Sequence, residues 1–189
     1  MKKNIAIAVL LSAVVVPAAV ASDMMDERHM DDRHMYVGIR AGSANTSFDN
    51  AVLGSGSPTG WGVFIGHIIS PYAAVEAEYL NLGEIKNNTN STKSTGFDLA
   101  VLGSYPFNEQ FSLFGKLGYA MITGKPGGSC TGCVDAKNRA FTYGLGGQFN
   151  VNPTVGIRLA WDKYKFNDNN GGYGNGDANL YSIGGVFKF

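Results

Sequence analysis

The sequence predicts an all-β chain folded as an eight-stranded antiparallel up-and-down transmembrane β-barrel. Three observations carry that expectation. An N-terminal export signal is followed by no apolar run long enough for a membrane helix. Eight segments alternate with period two, and the odd-numbered positions through their central stretches carry no charge. The connections between them alternate between short and long. Composition agrees with this reading. Charged residues make up 16% of the chain, against about 25% in a typical soluble domain, and the 26 glycines are roughly twice the usual share. Lys plus Arg and Asp plus Glu each number 15, so no basic excess points to nucleic acid. A hydrophobic content of 44% excludes a disordered chain.

Residues 1–21, MKKNIAIAVLLSAVVVPAAVA, have the layout of a signal peptide. Lys2 and Lys3 form a positive start, an apolar core follows, Pro17 breaks it, and Ala19-Val20-Ala21 supplies a small-x-small cleavage site. Cleavage is expected near Ala21, leaving residues 22–34 as a disordered acidic tail and 35–189 as the barrel.

The strands follow in order. Over 35–45, Val37, Ile39 and Ala41 alternate with Gly38, Arg40 and Gly42. Over 60–69, Val63, Ile65, His67 and Ile69 share one face. Over 72–83, Ala73, Val75, Ala77 and Tyr79 alternate with Ala74, Glu76 and Glu78. The fourth segment, 95–105, sets Phe97, Leu99, Val101, Gly103 and Tyr105 against Asp98. The fifth, 109–123, sets Phe111, Leu113, Gly115, Leu117, Tyr119 and Met121 against Lys116. The sixth, 138–150, has Phe141, Tyr143, Leu145, Gly147 and Phe149 on one parity. The seventh, 154–166, sets Val155, Ile157, Leu159 and Trp161 against Arg158 and Asp162. The eighth, 178–189, sets Tyr181, Ile183, Gly185, Phe187 and Phe189 against Lys188. Alternation of this kind marks strands with two chemically different faces.

A charge at the bilayer midplane costs about 2–4 kcal/mol, so the uncharged odd parity reads as the lipid face. A soluble barrel would reverse the pattern, with apolar side chains inside and charges outside. The even parity, with its charges, glycines and serines, is expected to fill a narrow lumen with small and paired polar groups. Short turns at Ser70-Pro71, 106–108 and Asn152-Pro153 lie on one side. Longer loops near 46–59, 84–94, 124–137 and 167–177 lie on the other, and their mixed charges are too even to name a ligand. Proline cannot donate to a sheet ladder, and Pro58, Pro71, Pro106, Pro126 and Pro153 are all expected in connections. Aromatics gather in two bands at the strand ends. Tyr36, Tyr72, Tyr105, Phe107, Phe111, Phe149, Phe187 and Phe189 lie on the short-turn side. Trp61, Tyr79, Phe97, Phe141, Trp161, Tyr164, Phe166 and Tyr181 lie on the long-loop side. Both bands read as interfacial girdles.

Inward charges near mid-barrel have little water and must be paired. The expected lumen network comprises Arg40, Glu76, Glu78, Asp98, Lys116, Arg158 and Asp162. Cys130 and Cys133, in a loop of an exported chain, are expected to form a local disulfide. The tail repeats Met25-Asp-Glu-Arg-His29 as Met30-Asp-Asp-Arg-His34; thioethers and imidazoles suit copper, but an acidic tail without metal is the expectation. His67 sits beside a short turn, in the wrong leaflet for chemistry on outer-leaflet lipid, and no catalytic site is expected.

The chain ends Tyr181-Ser-Ile-Gly-Gly-Val-Phe-Lys-Phe189. Ser182, Gly184, Phe187 and Phe189 resemble the C-terminal signal read by the outer-membrane barrel assembly machinery. Ser70-Pro-Tyr-Ala-Ala-Val-Glu-Ala-Glu-Tyr79 and Asn152-Pro-Thr-Val-Gly-Ile-Arg-Leu159 resemble segments of the OmpA-like transmembrane barrel family. The resemblance covers 35–189 and lies closest to the small single-domain barrels of the OmpX and opacity-like group. It implies that Glu76 and Arg158 belong to an internal salt-bridge gate, with Lys116 as a neighbouring cation. The expected role is structural or surface-interacting, of the adhesion type, with a plugged polar lumen; the alternative is a narrow gated pore for small solutes or ions. Expected partners are outer-membrane lipid and lipopolysaccharide, the assembly machinery, and a host or surface ligand at the loops. A monomer is expected, without enzyme activity, cofactor, metal or nucleic acid.

Overall fold

The computed structural model describes residues 34–48, 57–87, 90–128, 136–166 and 176–189. They form a closed barrel of eight strands: β1 (Met35–Phe48), β2 (Thr59–Ser70), β3 (Ala73–Asn87), β4 (Asn90–Pro106), β5 (Phe111–Gly128), β6 (Ala136–Asn150), β7 (Val155–Phe166) and β8 (Gly176–Lys188). Each strand pairs antiparallel with the next, and β8 closes on β1 from Tyr36↔Lys188 to Phe48↔Gly176. Closure leaves no unpaired sheet edge, the condition for crossing lipid with strands.

The alternation of the sequence becomes an inside-out distribution. Phe97 and Leu99 are 67% and 64% exposed, while their neighbour Asp98 is 2% exposed. Apolar groups outside and ions inside are the reverse of a soluble barrel, and they suit an acyl-chain solvent.

Tight turns on one side are built by side chains that copy a backbone turn. Asn108 Oδ1 accepts from the Gln110 and Phe111 amides at 2.9 and 2.7 Å. Asn152 Oδ1 accepts from the Thr154 and Val155 amides at 2.9 and 2.7 Å. Asparagine favours such positions because its carbonyl satisfies amides that the turn leaves unpaired.

On the opposite side the strands run further than the alternation predicts. The expected loop over 84–94 is mostly strand, with β3 reaching Asn87 and β4 starting at Asn90. Two prolines correct the expectation for connections: Pro106 is the last residue of β4, and Pro126 lies inside β5 opposite Thr92. On the β3 side the described pairing with β4 ends at Ala73↔Gly103, so Pro106 lies past it and its missing N–H costs no bond on that flank. A bulge between Asn81 and Gly83 shifts the register of β3 against β4, so Glu84 comes to face Lys93. Gly83 has φ +88°, its amide donates to Asn81 Oδ1 at 2.8 Å, and a side chain there would be strained.

The inner face is layered. Tyr36, Phe64, Ala74, Ala100, Leu102, Phe114 and Val186 form an apolar cluster on the tight-turn side. Ala44, Leu80, Leu82, Ala120, Ile122, Ala140, Tyr164, Phe166, Ala178 and Leu180 form another toward the long connections. The expectation of an inner face of small and polar groups is thus corrected: large apolar side chains also point inward, on both sides of the charged residues. Tyr36, Tyr164 and Phe166, assigned to the girdles from sequence, are 3%, 0% and 6% exposed and belong to these inner clusters. Their even parity turns them inward, which outweighs their position near strand ends. Inner glycines make the room. A Cβ on Gly66 would collide with the Tyr36 ring, and one on Gly146 with Phe114.

Candidate functional site

Between the two apolar clusters lies a buried ionic layer built from five strands. β1 contributes Arg40, β3 Glu76 and Glu78, β4 Asp98, β5 Lys116, and β7 Arg158 and Asp162. Consecutive strands bring these together because inward residues recur at every second position, and register pairs such as Glu78↔Asp98 fall at the same level.

Arg40 makes a forked contact with Glu78, Nε to Oε1 at 2.5 Å and Nη2 to Oε2 at 2.7 Å. Its Nη1 donates to Asp162 Oδ2, and its Nη2 also donates to the Tyr164 hydroxyl at 3.0 Å. Lys116 Nζ lies 3.1 Å from Glu78 Oε2, 2.8 Å from Asp98 Oδ2 and 4.0 Å from Glu76 Oε1. Arg158 Nη1 donates to Glu76 Oε2 at 2.6 Å, and its Nε and Nη2 donate to Gln148 Oε1 at 3.2 and 3.1 Å. The seven residues expected in the lumen are thus one connected set. The Arg40–Glu78 fork is the strongest geometry available to such pairs.

Sequence reasoning missed several members. The Tyr36 hydroxyl donates to Glu76 Oε2 at 2.9 Å, and Arg40 Nη1 reaches Ser182 Oγ at 3.4 Å. The Arg158 guanidinium carbon lies 4.8 Å from the Phe64 ring centroid, 4.9 Å from Phe114 and 5.3 Å from Tyr36. A weakly hydrated guanidinium gains from ring faces in a dry site. The even parity of Tyr36, Phe64, Phe114, Gln148 and Tyr164 was the available signal.

Four buried carboxylates face three buried cations among these seven residues. The surplus falls on Asp98. Lys116 approaches its Oδ2 at 2.8 Å but off the hydrogen-bonding direction, and neither carboxyl oxygen has a hydrogen-bond partner among the described residues. Asp98→Asn is therefore expected to change stability by under about 1 kcal/mol or to raise it, because it removes the poorest-paired charge. Urea unfolding of the variant in lipid vesicles measures this, and a loss of several kcal/mol would assign Asp98 an essential ion pair.

The remaining residues singled out from the sequence lie outside this layer or at its margin. Ser182 is buried and Gly184 half-buried on the inner face of β8, while Phe187 and Phe189 face outward with ring centroids 6.5 Å apart. His67 is exposed opposite Met35, and Lys188 Nζ contacts Asn150 Oδ1 at 3.1 Å. Cys130, Cys133, the cleavage site and the tail repeat up to Arg33 lie outside the described residues. Rings line the outer wall in touching rows: Trp61, Tyr79 and Phe97 at 5.9 and 5.2 Å, and Phe141, Tyr143 and Trp161 at 6.2 and 6.1 Å.

A family model described as outer membrane protein beta-barrel domain matches residues 6–189. The fold is similar to that of the Neisserial surface protein A crystal structure (TM-score 0.68, 16% identity, covering 82% of this chain and 97% of that one). It is also similar to Ail, the attachment invasion locus protein of Yersinia pestis (TM-score 0.61, 16% identity, 83% and 99% covered), which has also been crystallised with the heparin analogue sucrose octasulfate. The outer membrane protein OprG of Pseudomonas aeruginosa has TM-score 0.51 at 15% identity, with 83% and 97% covered. No curated protein matches the chain.

Proposed function

The chain belongs to the outer membrane protein β-barrel family, and from that premise we propose that it is a structural and surface-interaction protein of the bacterial outer membrane whose lumen is closed. One observation carries the closed lumen: an ionic layer of seven buried residues is stacked between two clusters of buried apolar side chains. An ion entering from either end meets apolar packing first. At mid-barrel it meets Glu76, Glu78 and Asp162 already paired with Arg158, Lys116 and Arg40, and Asp98 as the one poorly paired carboxylate. Eight strands leave an interior just wide enough for side chains. Interaction with partners then falls to the long connections, as the adhesion-type reading holds, and catalysis has no part in it. Export through residues 1–21 with cleavage near Ala21, an acidic tail over 22–34, assembly through the C-terminal strand and a Cys130–Cys133 bridge belong to the same proposal.

A narrow gated pore is the second reading, favoured by one contact. Lys116 Nζ lies between Glu76 and Glu78, at 4.0 and 3.1 Å, so Glu76 has a second cation in reach if Arg158 releases it. Single-channel recording of the refolded chain separates the two. The closed reading expects silent bilayers from wild type, with folding verified by heat-modifiable gel mobility. Discrete openings in wild type that change size or lifetime in Glu76→Ala would overturn it in favour of the gate. For the surface role, deleting the connections is expected to abolish partner binding while the barrel still folds.

A further inference from the structure

The tail repeat runs into the barrel at the tight-turn rim. Met25-Asp-Glu-Arg-His29 and Met30-Asp-Asp-Arg-His34 lead directly to Met35, so methionine recurs every fifth residue. The third of these methionines is the first residue of β1. His67, the one histidine in the described strands, stands opposite it in register on β2. The two residue types that the repeat couples in sequence are thus coupled again by the fold.

Met35 and His67 are a close pair. The Ile68 amide donates to the His34 carbonyl at 2.7 Å, which makes His34 and Ile68 a hydrogen-bonded pair of the ladder. The Met35 amide and carbonyl turn the other way and exchange bonds with Phe189 at 3.2 and 2.9 Å. Hydrogen-bonded and non-hydrogen-bonded pairs alternate along antiparallel strands, and the second kind has Cα atoms about 4.5 Å apart with side chains closest. Met35 and His67 are of that second kind. Both have the outward parity, with His67 exposed and Met35 half-buried. His34, also exposed, adds a second imidazole one residue away. The outward neighbours Val37, Ile65, Ile69 and Phe189 are exposed and uncharged, so they bring no carboxylate to an ion held here.

We propose that Met35 and His67, with His34 beside them, form a binding site for Cu(I). A neutral thioether with imidazole is a soft donor set that suits Cu(I), whereas magnesium and calcium take oxygen ligands. Structural zinc takes a closed tetrahedral set of Cys, His or carboxylate ligands. The described residues contain no group of three or more His, Cys, Asp or Glu placed for a metal. In outer-membrane barrels the short turns face the periplasm, so this rim takes its copper from that compartment.

Anaerobic titration of the refolded chain with Cu(I), against a coloured Cu(I) chelator, tests this, with Ag(I) as a redox-inert second probe. A C130S/C133S background keeps thiols from competing. With the rim residues intact, the chain is expected to take up Cu(I) stoichiometrically. M35L and H67Q should each weaken binding roughly tenfold or more, and H34Q several-fold. Leucine matches methionine in volume, so the M35L barrel is expected to fold, and heat-modifiable gel mobility verifies it. Copper K-edge absorption should show a sulfur scatterer that M35L diminishes. No uptake with the rim intact, or affinity unchanged in both M35L and H67Q, would overturn the proposal. So would a loss confined to H29Q/M30L, which assigns the copper to the tail alone, or zinc held as tightly as Cu(I).

Discussion

Replacing Arg40 with alanine is expected to destabilise the folded barrel by about 3–5 kcal/mol, the largest loss of any single ionic substitution in the lumen. Arg40 is 7% exposed and serves Glu78 through a fork, Asp162 through Nη1 and Tyr164 through Nη2. Its removal leaves Asp162 without its cation and leaves Glu78 dependent on Lys116 alone, in a layer already one cation short. Alanine also opens a void that the rigid wall of the closed barrel cannot collapse to fill. Arg40→Lys keeps the charge but not the planar fork, and an intermediate loss is expected. Urea midpoints in lipid vesicles measure the series. A loss under about 1 kcal/mol for Arg40→Ala would mean that water enters the layer and solvates the freed carboxylates, which would also weaken the closed-lumen reading.

Leu99→Arg is the second large effect, about 2–4 kcal/mol of destabilisation in a bilayer. Leu99 is 64% exposed and lies between Ala77 and Tyr119 in register, one residue from the buried Asp98. It therefore sits on the outer wall at the level of the ionic layer, far from both rims, where an arginine cannot reach headgroups without distorting the lipid. An arginine at Gln110, whose side chain is exposed in the β4–β5 turn, is expected to cost less than about 0.5 kcal/mol. Comparing the two by folding yield and urea midpoint in vesicles reads the orientation of the wall directly. An unchanged Leu99→Arg barrel would contradict lipid contact at this depth.

Much of this molecule is legible one strand at a time. Period-two alternation is a property of a single segment, so the parity that separates Leu99 from Asp98 or Ile39 from Arg40 needs no partner strand to be seen. The same holds for the tight turns, where Asn108 and Asn152 act on amides two and three residues away. Strand ends were less visible. The segment 84–94 has turn-like composition, yet pairing from Glu84↔Lys93 to Asn87↔Asn90 extends the hairpin, because ladder bonds to a neighbour outweigh weak local preference.

By itself, then, the sequence determined the class of fold, the number of strands, the face taken by the central residues of each strand and the need for its inward charges to pair. Only the tertiary structure decided which charges meet. It put Arg40 of β1 against Asp162 of β7 and Glu76 of β3 against Arg158, and turned Tyr36, Tyr164 and Phe166 from the girdle to the inner face. The reason is closure. Facing is set by the two-residue repeat within a strand, but contact across the lumen depends on the register of every strand pair between the two residues, and that sum exists only in the closed barrel.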